Sequence, residues 1–248
     1  MLLQTVTLLY QIRTFLSIDT AGLLFLPSDC RESLQRFTLY KAMDLLKPAD
    51  LVDNFTRALY KLAPYRGCAH GCRYCDGRAE RYYVEGDFER DIVEKPTLPA
   101  RLAADLPKAR ERGLVAFGSG TTDPYQPCEA VSNITGSCAE LLVRGPLPPA
   151  GRLPALIMTK SALALRDLPL WKIHAAQAGL VLLVSLTSLD EDLRAVMEPG
   201  ASSFAQRLGL LREFKAAGCA TGILAMPFLP GLSDQEESIQ RVYAAAKD

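Results

Sequence analysis

Downstream of residue 57 the apolar positions fall into two kinds of pattern that alternate along the chain. Short aliphatic, β-branched runs predict strands at Ala58–Pro64, Leu114–Ser119, Ala155–Lys160, Leu180–Thr187 and Thr221–Pro227. Longer amphipathic stretches fill the gaps. Asp167 is expected to cap a helix carrying Leu170, Ile173 and Ala176 up to a stop at Gly179. Ser203 opens another, with Leu208, Leu211 and Phe214 on one face and Gly218 beyond its end. Ser233 and Glu236 read as the capping box of a last helix. Strand and helix in strict alternation predict an α/β fold built on a parallel sheet.

Active residues of such folds gather in the loops at the C-terminal ends of the strands. Five segments occupy that edge: the loop after the first strand, the Gly118–Tyr125 turn, Lys160, Ser185, and the turn that begins at Met226. The first of these holds Cys68, Cys72 and Cys75, spaced Cys-x3-Cys-x2-Cys, with no fourth cysteine nearby. Three thiolates on a [4Fe-4S] cube leave one iron without a protein ligand. The same residues admit a Cys3His zinc site completed by His70, although a tetrahedron is hard to close from eight consecutive residues. They also admit unligated core thiols.

Composition narrows the setting. The chain has 248 residues, 49% hydrophobic and 23% charged, the balance of a soluble globular protein. Its 28 basic and 28 acidic residues cancel, so nothing global draws it to nucleic acid or an anionic membrane. Seven cysteines, three of them clustered, argue against a secreted disulfide framework and for a reducing, cytoplasmic setting. The apolar run Met1–Ile12 is cut by Arg13 well short of the roughly 20 residues a membrane helix needs. It also lacks a signal peptide's basic start and small-residue cleavage site. Residues 1–54 are expected to form an N-terminal extension, with the core domain in 55–248.

The cysteine spacing, with aromatic Tyr74 just before the third cysteine, resembles the signature of the radical S-adenosylmethionine (radical SAM) superfamily. The order of further motifs is similar to the branch grouped with spore photoproduct lyase. These are Ala63-Pro-Tyr-Arg-Gly-Cys68, Thr122-Asp-Pro-Tyr-Gln-Pro-Cys-Glu129, Thr159-Lys160, Glu198-Pro199 followed by Arg207, and Pro230-Gly-Leu-Ser-Asp234. The resemblance implies a partial (β/α)6 TIM-type barrel with parallel strands, here truncated before its sixth strand unless the N-terminal extension completes the sheet. It implies a [4Fe-4S] cluster on Cys68, Cys72 and Cys75, and S-adenosylmethionine chelating the open iron. Cleavage of that cofactor to a 5′-deoxyadenosyl radical is the implied activity, with an electron donor of flavodoxin or ferredoxin type. Damaged nucleic acid is the implied substrate class.

Residue by residue, the resemblance places Tyr74, Thr122, Asp123, Lys160, Ser185 and Ala225 around the cofactor. Lys160 matches a lysine that meets the cofactor carboxylate, Ser185 a hydroxyl near the ribose, and Ala225 a backbone that receives adenine. Gly120 stands where the lyase has its hydrogen-donating cysteine, and Cys128 is the candidate for a relocated donor. Arg207 is read as a solvated helix arginine, with Glu198 or the methionyl carboxylate as its other partners. Cys30, Cys128, Cys138 and Cys219 lack ligand spacing and are expected in the core. Asp76–Arg90 interleaves arginines with Tyr82, Tyr83 and Phe88, a pattern of nucleotide stacking or of a charged surface. A noncatalytic iron–sulfur or zinc-binding domain is the alternative function.

Overall fold

The computed structural model describes residues 58–79, 84, 86–118 and 120–247. The N-terminal extension, Cys30, and Tyr82 and Tyr83 lie outside them. Among the described residues the strands are β1 (Ala58–Leu62), β2 (Tyr65–Arg66), β3 (Val93–Glu94), β4 (Leu114–Phe117), β5 (Ala155–Thr159), β6 (Leu180–Ser185) and β7 (Ala220–Leu224). The helices are α1 (Leu98–Asp105), α2 (Glu129–Ser132), α3 (Ile134–Arg144), α4 (Leu168–Gln177), α5 (Glu191–Met197), α6 (Phe204–Ala216) and α7 (Glu236–Ala245).

All five expected strands are present as β1, β4, β5, β6 and β7, hydrogen-bonded side by side in that order and parallel throughout. The sheet is open, with β1 and β7 at its edges among the described residues. In register, Leu62 faces Phe117, Phe117 faces Ile157, Ile157 faces Leu182, and Ser185 faces Leu224.

Strand side chains alternate between the two faces of a sheet, and here each face has its own task. Tyr60, Leu62, Val115, Phe117, Ala155, Ile157, Leu182 and Val184 point to the helices and build the main core with Leu102, Ile134, Leu142, Trp171, Leu210 and Phe214. The intervening positions Ala116 and Leu156, joined by Ala58 across a register shift between Ala58 and Tyr60, form a much smaller cluster. Apolar side chains occupy both faces of the central strands, half-buried on the second, which explains why their sequences are continuous apolar runs and not polar–apolar alternations. β2 and β3, two residues each, pair antiparallel and bracket the segment that carries the cysteines. Strands that short have no periodicity to read.

The helices depart from expectation at their ends and faces. Ser203 opens α6 as expected, in a capping box with Gln206, but the buried row is Phe204, Arg207, Leu210 and Phe214, where Leu208, Leu211 and Phe214 were expected. In α4 the buried residues are Trp171 and His174, while Ile173 is 40% exposed, so the Leu170–Ile173–Ala176 face is corrected by one position. Asp167 does not cap α4. Its carboxylate accepts the Tyr125 hydroxyl at 3.0 Å and pairs with Arg166 at 2.8 Å, while the Trp171 indole donates to the Tyr125 oxygen at 2.7 Å. Ser233 likewise accepts the Leu229 amide at 2.9 Å, and Gln235 holds the cap position of α7. In both cases a buried long-range or turn contact outbids a local cap that exposed sequence context would favour.

His174 sits in the main core against the Trp171 ring, centroids 5.8 Å apart. Both imidazole nitrogens are buried without a hydrogen-bond partner, and burial pushes the imidazole down to about 4. The folded value lies below the unfolded value of about 6.5, so acid favours the unfolded chain. Stability is therefore expected to fall as pH drops from about 6.5 towards 4, by about 3 kcal/mol in full. Urea melts at pH 7 and pH 5 should show this slope in the wild type and a flatter one in His174→Leu. Equal slopes would refute it.

Candidate functional site

A cavity of about 380 Å³ opens at the C-terminal ends of the strands. Cys68, Cys72 and Cys75 form part of its wall, with His70, Tyr74 and Asp76 from the same loop. Strand alternation supplies the floor. Lys61, Ala116, Met158, Lys160, Ser185 and Leu224 all belong to the face away from the helices and all line it. Thr122 and Asp123 enter from the turn after β4, and Met226 and Pro227 from the turn after β7. A volume of this size matches a small-molecule or cofactor site.

Ala225 has the opposite parity to Leu224 and Met226, so its side chain packs with Leu186, Phe204 and Val242 on the helix side, and the role expected of it is one of the backbone alone. Cys128 is misplaced as a hydrogen donor. It is 1% exposed in the main core, interacts with Glu94, and is not part of the cavity wall. Cys138 and Cys219 are buried as expected.

The cysteine loop is held by backbone contacts on several sides. The Cys68 amide donates to the Phe88 carbonyl at 2.9 Å, and Gly67, at φ +80°, brings that carbonyl so near that a Cβ would meet it at 2.8 Å. The Arg78 guanidinium bonds the Cys72 carbonyl and Glu89. On the opposite side the Arg73 amide donates to the Met197 carbonyl at 2.9 Å, and the Gly200 amide to the His70 carbonyl at 2.9 Å. A Cβ on Gly200 would lie 2.5 Å from the Ala69 carbonyl oxygen, so only glycine permits that approach.

Burial raises all three thiols: Cys72 to about 12, Cys68 further with help from Asp123, and Cys75 less because the Gly77 amide, Arg78 and Lys160 oppose it. Such thiols are protonated at neutral pH until a metal centre displaces their protons. Among the described residues no three His, Cys, Asp or Glu side chains come together as the ligands of a single metal ion. A tetrahedral zinc would need its sulfur donors within roughly 4 Å of one another. A cube takes each thiolate at a different iron, so three thiols lining one cavity can serve it without converging on a single atom.

The polar residues read as cofactor contacts divide into two groups. Asp123 is fully engaged within the protein: it accepts the Tyr125 amide at 2.8 Å, the Thr159 hydroxyl at 2.7 Å and the Lys160 amide at 2.8 Å, with His70 Nδ1 at 3.4 Å. Thr122 donates to the Gly67 carbonyl at 2.9 Å and accepts from Gln126 at 3.0 Å. Both tie strand ends to the cysteine loop. Lys160 and Ser185 line the cavity alongside them, and the Lys160 ammonium lies over the Tyr74 ring, 5.7 Å from its centroid.

Arg207 is buried, not solvated. It pairs with equally buried Glu198 and donates to the Ser185 carbonyl at 2.9 Å and the Ser202 carbonyl at 2.8 Å. Glu198 also accepts the Tyr74 hydroxyl. This network joins α6, the end of β6 and the cysteine loop, and the spacing of Glu198-Pro199 and Arg207 is its sequence trace.

Residues 62–242 match the Radical SAM superfamily. The chain belongs to that superfamily. An uncharacterized protein of Mycobacterium tuberculosis is 33% identical over 192 residues, covering 74% of this chain and 53% of that protein. An uncharacterized protein of Methanocaldococcus jannaschii is 27% identical over 181 residues, covering 72% of this chain and 64% of that one. The radical SAM chain thus spans about half the length of its mycobacterial relative. Among solved structures, spore photoproduct lyase complexed with dinucleoside spore photoproduct superposes with a TM-score of 0.52 at 20% identity, over 77% of this chain and 53% of that one. A mutant of that lyase with bound AdoMet and dinucleoside spore photoproduct gives a TM-score of 0.52 at 17% identity, over 86% and 64%. This likeness is one of fold, a partial-barrel α/β sheet. No helix among the described residues is long and apolar enough to cross a membrane.

Proposed function

We propose that this chain is a radical SAM enzyme, with Cys68, Cys72 and Cys75 holding a [4Fe-4S] cluster and the adjoining cavity binding S-adenosylmethionine. The observation that carries the reading is a cavity that combines three thiols, Cys72 buried and Cys68 and Cys75 partly so, with Lys160, Ser185 and an apolar wall of Leu224, Met226 and Pro227. When bound, the cluster and cofactor supply a 5′-deoxyadenosyl radical that abstracts hydrogen from substrate, given an electron from a flavodoxin- or ferredoxin-type donor.

The chain's own residues bind, orient and shield. Lys160 offers a cation to the methionyl carboxylate, with Tyr74 beneath it restricting where the ammonium can sit. Ser185 offers a hydroxyl for the ribose. Leu224 and Met226 take the apolar role for adenine that Ala225 was expected to share through its backbone. Thr122 and Asp123 act by shaping the site. The proposed core runs from 55 to 248. The resemblance suggests damaged nucleic acid as substrate, but Gly120 stands at the lyase's donor position and the net charge is zero, so the proposal stops at radical generation.

Anaerobic reconstitution followed by reduction with dithionite tests this. About four irons per chain and release of 5′-deoxyadenosine are expected. Stoichiometric zinc without iron, or a cluster that never cleaves the cofactor, would overturn it. Replacing Lys160 by glutamine should weaken S-adenosylmethionine binding roughly 10- to 100-fold, the worth of a charge-assisted hydrogen bond. Equilibrium dialysis on the reconstituted protein measures that, and the iron content should stay at the wild-type level.

A further inference from the structure

Gln126 is fully buried, at 0% exposure, and is not part of the cavity wall. Its amide reaches across 59 residues of sequence to the loop around Cys68. The Nε2 group donates to the Gly67 carbonyl at 3.1 Å and the Oε1 atom accepts the Ala69 amide at 2.8 Å. One planar group therefore bonds both peptides that flank Cys68, as a neighbouring strand would. Thr122 completes the clasp: its hydroxyl donates to the same Gly67 carbonyl at 2.9 Å and accepts from Gln126 Nε2 at 3.0 Å. The Cys68 amide is meanwhile taken by the Phe88 carbonyl at 2.9 Å. Backbone torsions on both sides of Cys68 are thus set by contacts that leave its thiol uninvolved.

We infer that Gln126 is a positioning residue for Cys68, fixing the direction of that thiol before and after a cluster is bound. The inference rests on the proposed cluster reading and extends it to a side chain that touches neither cluster nor cofactor. A general packing role does not require both halves of an amide. The clasp does, because one half must donate and the other accept. Glutamate at this position keeps the shape. As a carboxylate it sets an oxygen against the Gly67 carbonyl; as a neutral acid it can donate there and still accept from Ala69. Its desolvated site favours the neutral acid at mildly low pH.

The test compares wild type, Gln126→Leu and Gln126→Glu after anaerobic reconstitution. The readouts are the rate of iron transfer to a chelator, the spectrum of the reduced cluster, and the thermal midpoint of the metal-free protein. Iron loss from Gln126→Glu at pH 8 is expected to be about tenfold faster than from wild type, as loss of an outer-shell partner to a metal ligand commonly is. At pH 6 the glutamate variant should return towards the wild-type rate measured at the same pH, while the leucine variant stays fast at both. If Gln126→Leu does not fold, the pH-dependent recovery of Gln126→Glu alone decides. Iron loss at the wild-type rate from Gln126→Glu at pH 8 would overturn the inference. So would a change accounted for entirely by a lower metal-free midpoint. A wild-type protein that takes up no four-iron cluster would instead sink the function proposed above, so the two failures are distinguishable.

Discussion

Substituting alanine for Cys68, Cys72 or Cys75, one at a time, is expected to abolish 5′-deoxyadenosine formation and to leave little or no four-iron cluster after reconstitution. Each thiol belongs to the same cavity wall, and each is held as a neutral thiol by burial, so an incomplete set has nothing with which to replace the missing ligand. The effect should not come from unfolding. Removing one sulfur from a small, partly lined site costs on the order of 1 kcal/mol, and the metal-free midpoints should lie within a few degrees of wild type. His70→Ala is the control. A Cys3His zinc centre would lose its metal in this variant, whereas a cluster on three cysteines should keep its iron. Full iron content in all three cysteine variants would end the assignment.

Replacing Arg207 by methionine is expected to be strongly destabilising. Glu198 would lose its guanidinium partner at 0% exposure, and breaking a buried pair in this way costs about 3–5 kcal/mol. For a domain of this size that corresponds to a midpoint lower by roughly 6–20 °C. Adding Glu198→Gln to Arg207→Met should restore more than half of the loss, because the amide carries no charge and can still accept the Tyr74 hydroxyl. A double variant as unstable as the single one would refute the account.

The same pair sets a pH dependence. Burial alone would push the Glu198 carboxyl up, but Arg207, Lys160 and the Tyr74 hydroxyl hold it below its ordinary value. Its stabilising contribution is therefore fully present above the usual glutamate range, near pH 4.3, and is lost as pH falls through the lower folded-state value. Acid titration of stability should be shallower in the double variant than in wild type.

The strand assignments were legible because a buried parallel strand is written as a local run of aliphatic residues, and five such runs became five neighbouring strands. The cysteine loop was legible for a related reason, since metal-ligand spacing is a property of consecutive residues. Helix faces were less so. Asp167 and Ser233 have the chemistry of caps and the sequence positions of caps, but Tyr125 and the Leu229 amide claimed them. Those partners lie in other turns, and no local pattern ranks them against the helix.

Charged and amide side chains were the least legible. Arg207 on a helix surface and Arg207 sealed against Glu198 read alike in one dimension, because solvent is displaced only when α6 closes on the end of β6. Gln126 stands in a motif visible from the start, yet its task depends on where Gly67 and Ala69 come to rest. Local chemistry along the chain sufficed to name the strands, the three clustered cysteines and the edge of the sheet at which they meet. Which side chains face the cavity, as Leu224 and Met226 do and Ala225 does not, and which buried polar groups hold the cysteines in place, came from packing. Sheet parity and desolvation act between segments far apart in sequence, and their outcome is set when those segments meet.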